Sequence, residues 1–107
     1  MNNRTKALAI PKSVKQAVAE RDSVNGWPCC ILCGRPAPSD APLAFSCAHY
    51  ISRAQSGLGI EENILTLCPD CHREYDTTGR KALQPILRKH LSEHYENWSE
   101  ENLIYRK

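Results

Sequence analysis

The ten residues from Leu67 to Asp76, LCPDCHREYD, decide the fold of this chain. Cys68 and Cys71 form a C-x-x-C pair, and His72 follows the second cysteine directly. A C-x-x-C-H pattern is typical of c-type haem attachment, and a C-x-x-C pair is also half of a four-cysteine zinc site. The two interpretations give His72 different roles, because a zinc site made of four cysteines leaves the histidine free for other work.

A second cysteine pair favours the zinc interpretation. Cys30 and Cys33 form another C-x-x-C, followed by Gly34. Each pair places two thiolates on one tight turn, and two such turns together make a tetrahedral site for a structural Zn²⁺. The insert between the pairs is longer than in a zinc ribbon, which a strand hairpin would explain. Cys29 is a less suitable substitute for Cys30, and Cys29 and Cys47 are predicted to be free thiols, Cys47 facing the hairpin core.

The bulk composition agrees with a metal site in a small cytoplasmic domain. The chain has 107 residues, 41% of them apolar, and a net charge of +2, which is compatible with a nucleic-acid partner. No apolar run approaches the roughly 20 residues that span a bilayer, and the N-terminus lacks the apolar core of a secretory signal. We therefore expect no membrane partner and a cytoplasmic location, where thiols stay reduced. Haem attachment is disfavoured there, although other histidines leave it open.

The hydrophobic pattern predicts a single α+β domain with helices at both ends. Residues 1–11 are expected to be flexible, residues 12–76 to form the core, and residues 77–107 a helical extension. In the extension, Leu87, Leu91, Tyr95 and Trp98 recur at helical spacing and are predicted core residues, with Pro85 in the first turn. The predicted elements are a helix over 13–21, strands over 43–51 and 63–67, a short helix over 72–76, and a longer helix from 83 onward.

Four polar residues outside the cysteine pairs are predicted to share a second site. His72 and Asp76 lie four residues apart on one helical face, so both can reach one divalent cation. His49 lies within the first strand of the hairpin, and Asn63 opens the next strand. A hairpin followed by a helix can bring all four together. The mixture of imidazole and carboxylate suits a catalytic metal with open coordination positions.

These residues carry a resemblance to a known family. The segment AHYISRAQSGLGIEENILTLCPDCHREYD, Ala48 to Asp76, resembles the HNH endonuclease motif, with His49, Asn63 and His72 as its signature residues. The two cysteine pairs are similar to those of the four-cysteine zinc variant, as found in small HNH proteins of phages and prophages. The resemblance covers residues 12–76 and is weaker over the tail. It implies a ββα-metal (His-Me finger) fold stapled by zinc.

The resemblance also implies an activity, metal-dependent hydrolysis of DNA phosphodiester bonds. His49 would be the general base that deprotonates the attacking water, a role that suits an imidazole. His72 would bind the catalytic divalent metal (Mg²⁺, Mn²⁺, Ni²⁺ or Zn²⁺), and Asp76 stands where many members have another ligating histidine. Asn63 would hold the loop and orient the His49 ring.

DNA is the partner that the resemblance implies. Arg53 and Arg73 are the nearest candidates for contacts with its phosphates. A domain this small is expected to need a phage or host protein, or a second copy of itself, for tight site selection.

One residue departs from the family pattern. The family often has Asp or His, as a metal ligand, directly before the base, and this chain has Ala48. Either the site uses fewer protein ligands and more water, or the register shifts so that His49 is the ligand and Tyr50 stands in the place of the base. Strand alternation favours the first, and Cys47 is a further candidate ligand. Ala48 also keeps open an alternative function, a zinc module that binds nucleic acid or protein without cutting.

Overall fold

The computed structural model of the chain describes residues 3–39 and 45–106. Over these residues the order of elements is helix, helix, hairpin, hairpin with a long connection, helix, helix. The helices are α1 (Asn3–Leu8), α2 (Lys12–Arg21), α3 (Pro69–Asp76) and α4 (Arg80–His94), and the strands are β1 (Ser23–Val24), β2 (Trp27–Pro28), β3 (Ser46–His49) and β4 (Ile64–Leu67). Short 3-10 turns lie at Arg53–Gln55, Glu61–Asn63 and Glu100–Leu103.

The strands form two separate antiparallel pairs. β1 pairs with β2, and β3 pairs with β4 so that Ser46 lies opposite Leu67 and His49 opposite Ile64. Helix α3 packs on the β3–β4 hairpin, α4 packs against α3, and α2 contacts β4. The predicted α+β class is therefore confirmed, with the helix that follows β4 packed on the hairpin. None of the helices described is long and apolar enough to cross a membrane.

The core lies beneath one face of β3. Ala48 and Tyr50 are buried together with Leu65 and Leu67 of the partner strand. Cys47 was predicted to face this core, but it is only half-buried and lines a surface cleft beside His49. Alternation along the strand explains the difference, because Ala48 and Tyr50 take the core positions and leave Cys47 and His49 for the other face.

The N-terminal segment differs from the prediction of a flexible stretch over residues 1–11. Residues 3–8 form α1, and the Leu8 side chain is buried at 2% exposure. The segment is fastened by polar contacts as well, since the Gly59 N–H donates to the Ala7 carbonyl at 3.0 Å. An apolar anchor and backbone hydrogen bonds together order a segment whose sequence has no long helical pattern. Residues 1 and 2 lie outside the described part of the chain.

Other helix and strand boundaries also differ from those predicted from the sequence. α4 begins at Arg80, so Pro85 lies inside the helix and not in its first turn. Leu87 and Leu91 are fully buried, as predicted, but the helix ends at His94, and Trp98 reaches the core from the segment beyond it. β3 is shorter than the predicted strand over 43–51, of which residues 43 and 44 lie outside the described part. β4 begins one residue after Asn63, which lies in a 3-10 turn.

A buried carboxylate joins α2, β4 and α4. Asp22 accepts hydrogen bonds from the Thr66 N–H at 2.9 Å and from the Arg21 guanidinium at 2.7 and 2.9 Å. The His90 ring lies 2.9 Å from the same carboxylate. Arg21 also donates to the Ile64 carbonyl at 2.7 Å. His90 thus packs against this buried charge.

Candidate metal centre and candidate active-site cleft

Four cysteine side chains meet in one cluster. The ligand atoms of Cys30, Cys33, Cys68 and Cys71 all lie within 4.8 Å of one another. The sulfurs of Cys33 and Cys68 are 3.7 Å apart. Zn–S bonds of about 2.3 Å in a tetrahedron place the sulfurs about 3.8 Å apart, so this spacing fits a Zn²⁺ ion. Cys29 lies outside the cluster and its thiol contacts the Trp27 carbonyl at 3.3 Å.

The local backbone explains why the two pairs converge. Gly34 has φ +76°, the left-handed conformation that glycine adopts most easily, and its N–H donates to the Cys30 carbonyl at 2.9 Å. This closes the first turn. Cys68 caps α3, its sulfur accepting from the Cys71 N–H at 3.5 Å, and Pro69 occupies the first helical position. The Ile31 N–H donates to the Thr66 carbonyl at 3.1 Å and so fastens the first turn to β4.

The thiols of the cluster differ in acidity. Burial by itself would raise the pKa of Cys30, but backbone N–H groups outweigh burial and hold that pKa at about 7. Desolvation and then the neighbouring sulfurs raise the pKa of Cys71. Four crowded sulfurs therefore resist ionising together unless a cation neutralises them. That is the electrostatic situation in which Zn²⁺ binds thiolates.

A second site lies in a cleft of about 540 Å³ between the β3–β4 hairpin, α3 and the N-terminal segment. His49 from β3 and His72 and Asp76 from α3 all line it. The structure thus brings together three of the four polar residues predicted to converge. The complete lining consists of Ile10, Cys47, His49, Ser52, Arg53, Ala54, His72, Asp76 and Arg80.

His72 is held at both ring nitrogens. Its Nε2 lies 3.0 Å from Asp76 Oδ2, as the spacing of four residues predicted, and its Nδ1 lies 2.9 Å from Ser46 Oγ. The hydroxyl holds the ring with Nε2 against the Asp76 carboxylate. Among the described residues, the cysteine cluster is the only group of three or more side chains close enough to hold a metal. The cleft therefore offers a metal the pair His72 and Asp76.

His49 is half-buried, and its Nε2 lies 2.9 Å from the Leu8 carbonyl oxygen. Burial lowers the pKa of His49 below its ordinary value, and the Leu8 carbonyl opposes that shift without cancelling it. The neighbouring Arg53 charge lowers it further. A lowered pKa keeps the imidazole neutral and able to accept a proton near pH 7.

Asn63 is fully buried and is not among the residues that line the cleft. Its side chain accepts from the Ile51 N–H at 2.8 Å and donates to the carbonyls of Ile51 and Leu58 at 3.1 and 2.8 Å. These three bonds clamp both ends of the loop that follows β3. Asn63 thus holds the loop, and that loop supplies Ser52, Arg53 and Ala54 to the cleft wall.

Of the two arginines predicted to contact phosphate, only Arg53 lines the cleft. Arg73 is exposed on α3 and lies outside it. Arg80 was missed by sequence reasoning because α4 was predicted to begin three residues later. Its guanidinium donates to the Tyr50 carbonyl at 2.9 Å, lies 3.4 Å from Asp76 Oδ1 and stacks on the Tyr75 ring at 4.2 Å. The spacing of four residues from Asp76 was the feature that could have identified it.

In the shifted register, His49 is the metal ligand and Tyr50 stands in the place of the base, and the position of Tyr50 disfavours this alternative. Tyr50 is fully buried, its ring centroid 5.7 Å from that of Trp98, and its hydroxyl accepts from Arg88 Nε at 3.1 Å. It lies in the core and not in the cleft, so its hydroxyl is not positioned to act on a substrate there. Ala48 is buried as well.

Comparison with known proteins bears on the same residues. The model of the family described as HNH endonuclease matches residues 30–77. A search of curated proteins found no match to the chain. The matched residues contain both cysteine pairs, the β3–β4 hairpin and α3, which are the parts of the molecule that form the cluster and most of the cleft. Residues 30–77 of this chain therefore match the HNH endonuclease family over just under half of its length.

Proposed function

We propose that the chain is a divalent-metal-dependent endonuclease that hydrolyses DNA phosphodiester bonds in the cleft. The observation that carries the proposal is the meeting of His49, His72 and Asp76 in one cleft, all three of them within the residues that match the family model. A neutral imidazole faces a carboxylate–imidazole pair across a space large enough for a phosphate. Arginine side chains complete the lining and favour an anionic substrate.

The residues divide the work of hydrolysis. His49 accepts a proton from water, the water oxygen attacks phosphorus, and the bond from phosphorus to the 3′ oxygen breaks. The leaving 3′ oxygen takes a proton from solvent water and becomes a hydroxyl. His72 and Asp76 would hold the catalytic cation, which when bound would act as a Lewis acid toward phosphate. Ser46 keeps the His72 ring aligned for that task. Arg53 and Arg80 are placed to bind phosphate oxygens.

The four-cysteine cluster has a different role in the proposal. It holds a structural Zn²⁺ that fastens the turn at Cys30 to the start of α3. Apparent binding energies of about 10–16 kcal/mol are typical of such sites at neutral pH, a large contribution for so small a domain. The cluster has no open ligand position, so catalysis is assigned to the cleft.

A second candidate function is a zinc module that binds nucleic acid without cutting it. Two observations favour it. Ala48 supplies no ligand where the family often has one, and among the described residues no third ligand side chain lies close enough to His72 and Asp76 to form a group of three with them. Water would have to fill more of the coordination sphere of a catalytic cation.

Cleavage of supercoiled plasmid separates the two functions. Zinc-loaded protein should convert the plasmid to nicked or linear DNA when Mg²⁺, Mn²⁺ or Ni²⁺ is added. Cleavage should stop when the added metal is withdrawn. The zinc content and the DNA affinity should be measured in the same samples. Metal-dependent cleavage supports the endonuclease. DNA binding with no cleavage in the presence of any of the three cations supports the binding module.

A further inference from the structure

We propose that α1, which lies outside the family-matched residues, is part of the active site because the Leu8 carbonyl positions His49. The catalytic consequence rests on the proposed endonuclease function. The juxtaposition itself is structural: the carbonyl at the C-terminal end of α1 lies 2.9 Å from Nε2 of the base. Ile10, two residues on, lines the cleft beside it.

The chemistry of this contact selects one form of the ring. A carbonyl oxygen can only accept a hydrogen bond, so Nε2 of His49 must carry the proton. A neutral imidazole has one N–H, and therefore Nδ1 keeps its lone pair. Leu8 thus makes Nδ1 the atom that accepts a proton from water. Without this contact, His49 would be free to exchange between tautomers and to rotate away from the productive orientation.

Several contacts hold α1 in the position that this task requires. The Arg4 guanidinium donates to the Arg53 carbonyl at 3.0 Å and to Ser56 Oγ at 3.3 Å. The Gly59 N–H donates to the Ala7 carbonyl at 3.0 Å. Arg53 and Ser56 lie in the loop that Asn63 clamps at Ile51 and Leu58, and Gly59 follows that loop directly. The helix and the cleft wall therefore form one unit.

Gly59 gives a direct means of testing this docking. A Cβ at this position would lie 2.0 Å from the Ala9 carbonyl oxygen and 2.6 Å from its carbon, far inside contact distance. The obstacle is backbone, so no side-chain rotation relieves it. Gly59→Ala must push residues 7–10 away from the loop, and it does so without touching the cysteines or α3.

The test uses full-length, zinc-loaded protein with ¹⁵N-labelled histidine. Nitrogen chemical shifts of His49, recorded above its pKa, should show protonated Nε2 and bare Nδ1 in the wild type. Gly59→Ala should populate the other tautomer and lower the plasmid-cleavage kcat at least ~10-fold, with little change in KM. Replacing the Leu8–Ala9 amide by an ester weakens the Leu8 carbonyl as an acceptor in the full chain. It also removes the Ala9 N–H that donates to the Thr5 carbonyl at 3.2 Å, so the helix content of the ester is checked beside its tautomer. The ester should give a smaller change in the same direction.

Controls separate positioning from loss of fold. Asn3→Ala alters the exposed start of the same helix and should keep the wild-type tautomer and kcat. Zinc per chain and the melting temperature should be recorded for every variant, and the ester decides the question if Gly59→Ala does not fold. A protonated Nδ1 in the wild type, or unchanged tautomer and kcat in the ester and in a folded Gly59→Ala, would overturn the proposal. If the wild type cuts no DNA, the proposed function fails, and the tautomers still decide whether Leu8 orients His49.

Discussion

His49 is the residue whose protonation state controls the proposed hydrolysis. Burial lowers its pKa more than the Leu8 carbonyl raises it. The neutral form, which accepts a proton, is therefore already the dominant form at neutral pH. This is the behaviour expected of a general base that works near pH 7.

The pH dependence of cleavage follows from this shift. Because His49 must be neutral, kcat/KM should rise with pH and level off above its pKa. That pKa is lowered, so the midpoint of the acid limb should lie below the ordinary value of 6.5. Single-turnover cleavage between about pH 4.5 and 8 measures it. His94→Ala, which removes an exposed histidine bonded to its own helix, should leave the profile unchanged. A midpoint above 6.5 would contradict the assignment.

Most of the residues proposed to act in the cluster and the cleft could be predicted from the sequence, because their types and spacings are distinctive. Cysteine spacing identified the four sulfurs, and helical spacing identified His72 with Asp76. Ser46 and Leu8 could not be predicted in this way. Ser46 reaches His72 across the hairpin, and Leu8 acts through a main-chain carbonyl, which has no residue-type pattern to recognise.

At the scale of an element, α3 places two neighbouring residues, Cys71 and His72, in two different sites. Successive helical residues point about 100° apart, so Cys71 and His72 face different surroundings. The Cys71 sulfur belongs to the cysteine cluster, while the His72 ring lies in the cleft against Ser46 and Asp76. One short helix thus connects the proposed structural metal to the proposed catalytic metal.

Substitutions at these two positions should therefore have different effects. Cys71→Ser should lower the zinc content below one ion per chain and unfold or aggregate the domain. His72→Ala should keep zinc near one per chain, keep the melting temperature and lose divalent-dependent cleavage. Asp76→Ala should be a milder form of His72→Ala, since water can fill one position. Zinc content by elemental analysis, melting temperature and plasmid nicking should be measured for all three variants side by side. Loss of zinc and of the fold in His72→Ala would show that His72 belongs to the structural site and would contradict the separate roles.

The sequence predicted elements better in the middle of the chain than at its ends. β4 and α3 carry strong local patterns and the adjoining cysteine turn, and both were found within a few residues. α1 was missed because one buried leucine and contacts to residues 53–59 order it, and those contacts are remote in sequence. The start of α4 was placed too late because Pro85 suggested a first turn, whereas the helix accommodates the proline in its interior.

Over the whole molecule, Asp22 links three parts that are distant in sequence. Its carboxylate side chain is fully buried and that of Arg21 is 9% exposed, so the pair is shielded from water. Burial by itself would raise the pKa of Asp22, but hydrogen bonds from His90 and Arg21 outweigh it and lower that pKa below 3.8. The lowered pKa means that the charged form is stabilised by folding.

Removing this charge should destabilise the whole domain. Asp22→Asn leaves the buried Arg21 guanidinium without its carboxylate counter-ion and should reduce the free energy of unfolding by about 3–5 kcal/mol. Chemical denaturation measures the loss. The difference in free energy of unfolding between variant and wild type should have its full size above pH 3.8, the ordinary pKa of the carboxyl in the unfolded chain. It should shrink as the pH falls through the lower pKa that Asp22 has in the folded protein. Glu93→Gln breaks an exposed pair with Lys89 and should cost under about 1 kcal/mol. Equal effects from the two variants would contradict the role of Asp22.

The most direct test of cleavage in the cleft is the rate of His49→Ala under single-turnover conditions, measured together with DNA affinity. Loss of a general base typically lowers the rate by ~10²–10⁴-fold. DNA affinity should change little, because lysine and arginine contacts with phosphates dominate it, and it should weaken with salt in both proteins. Zinc content should stay near one per chain. A His49→Ala protein that cuts at the wild-type rate would contradict the assignment of this cleft as the active site.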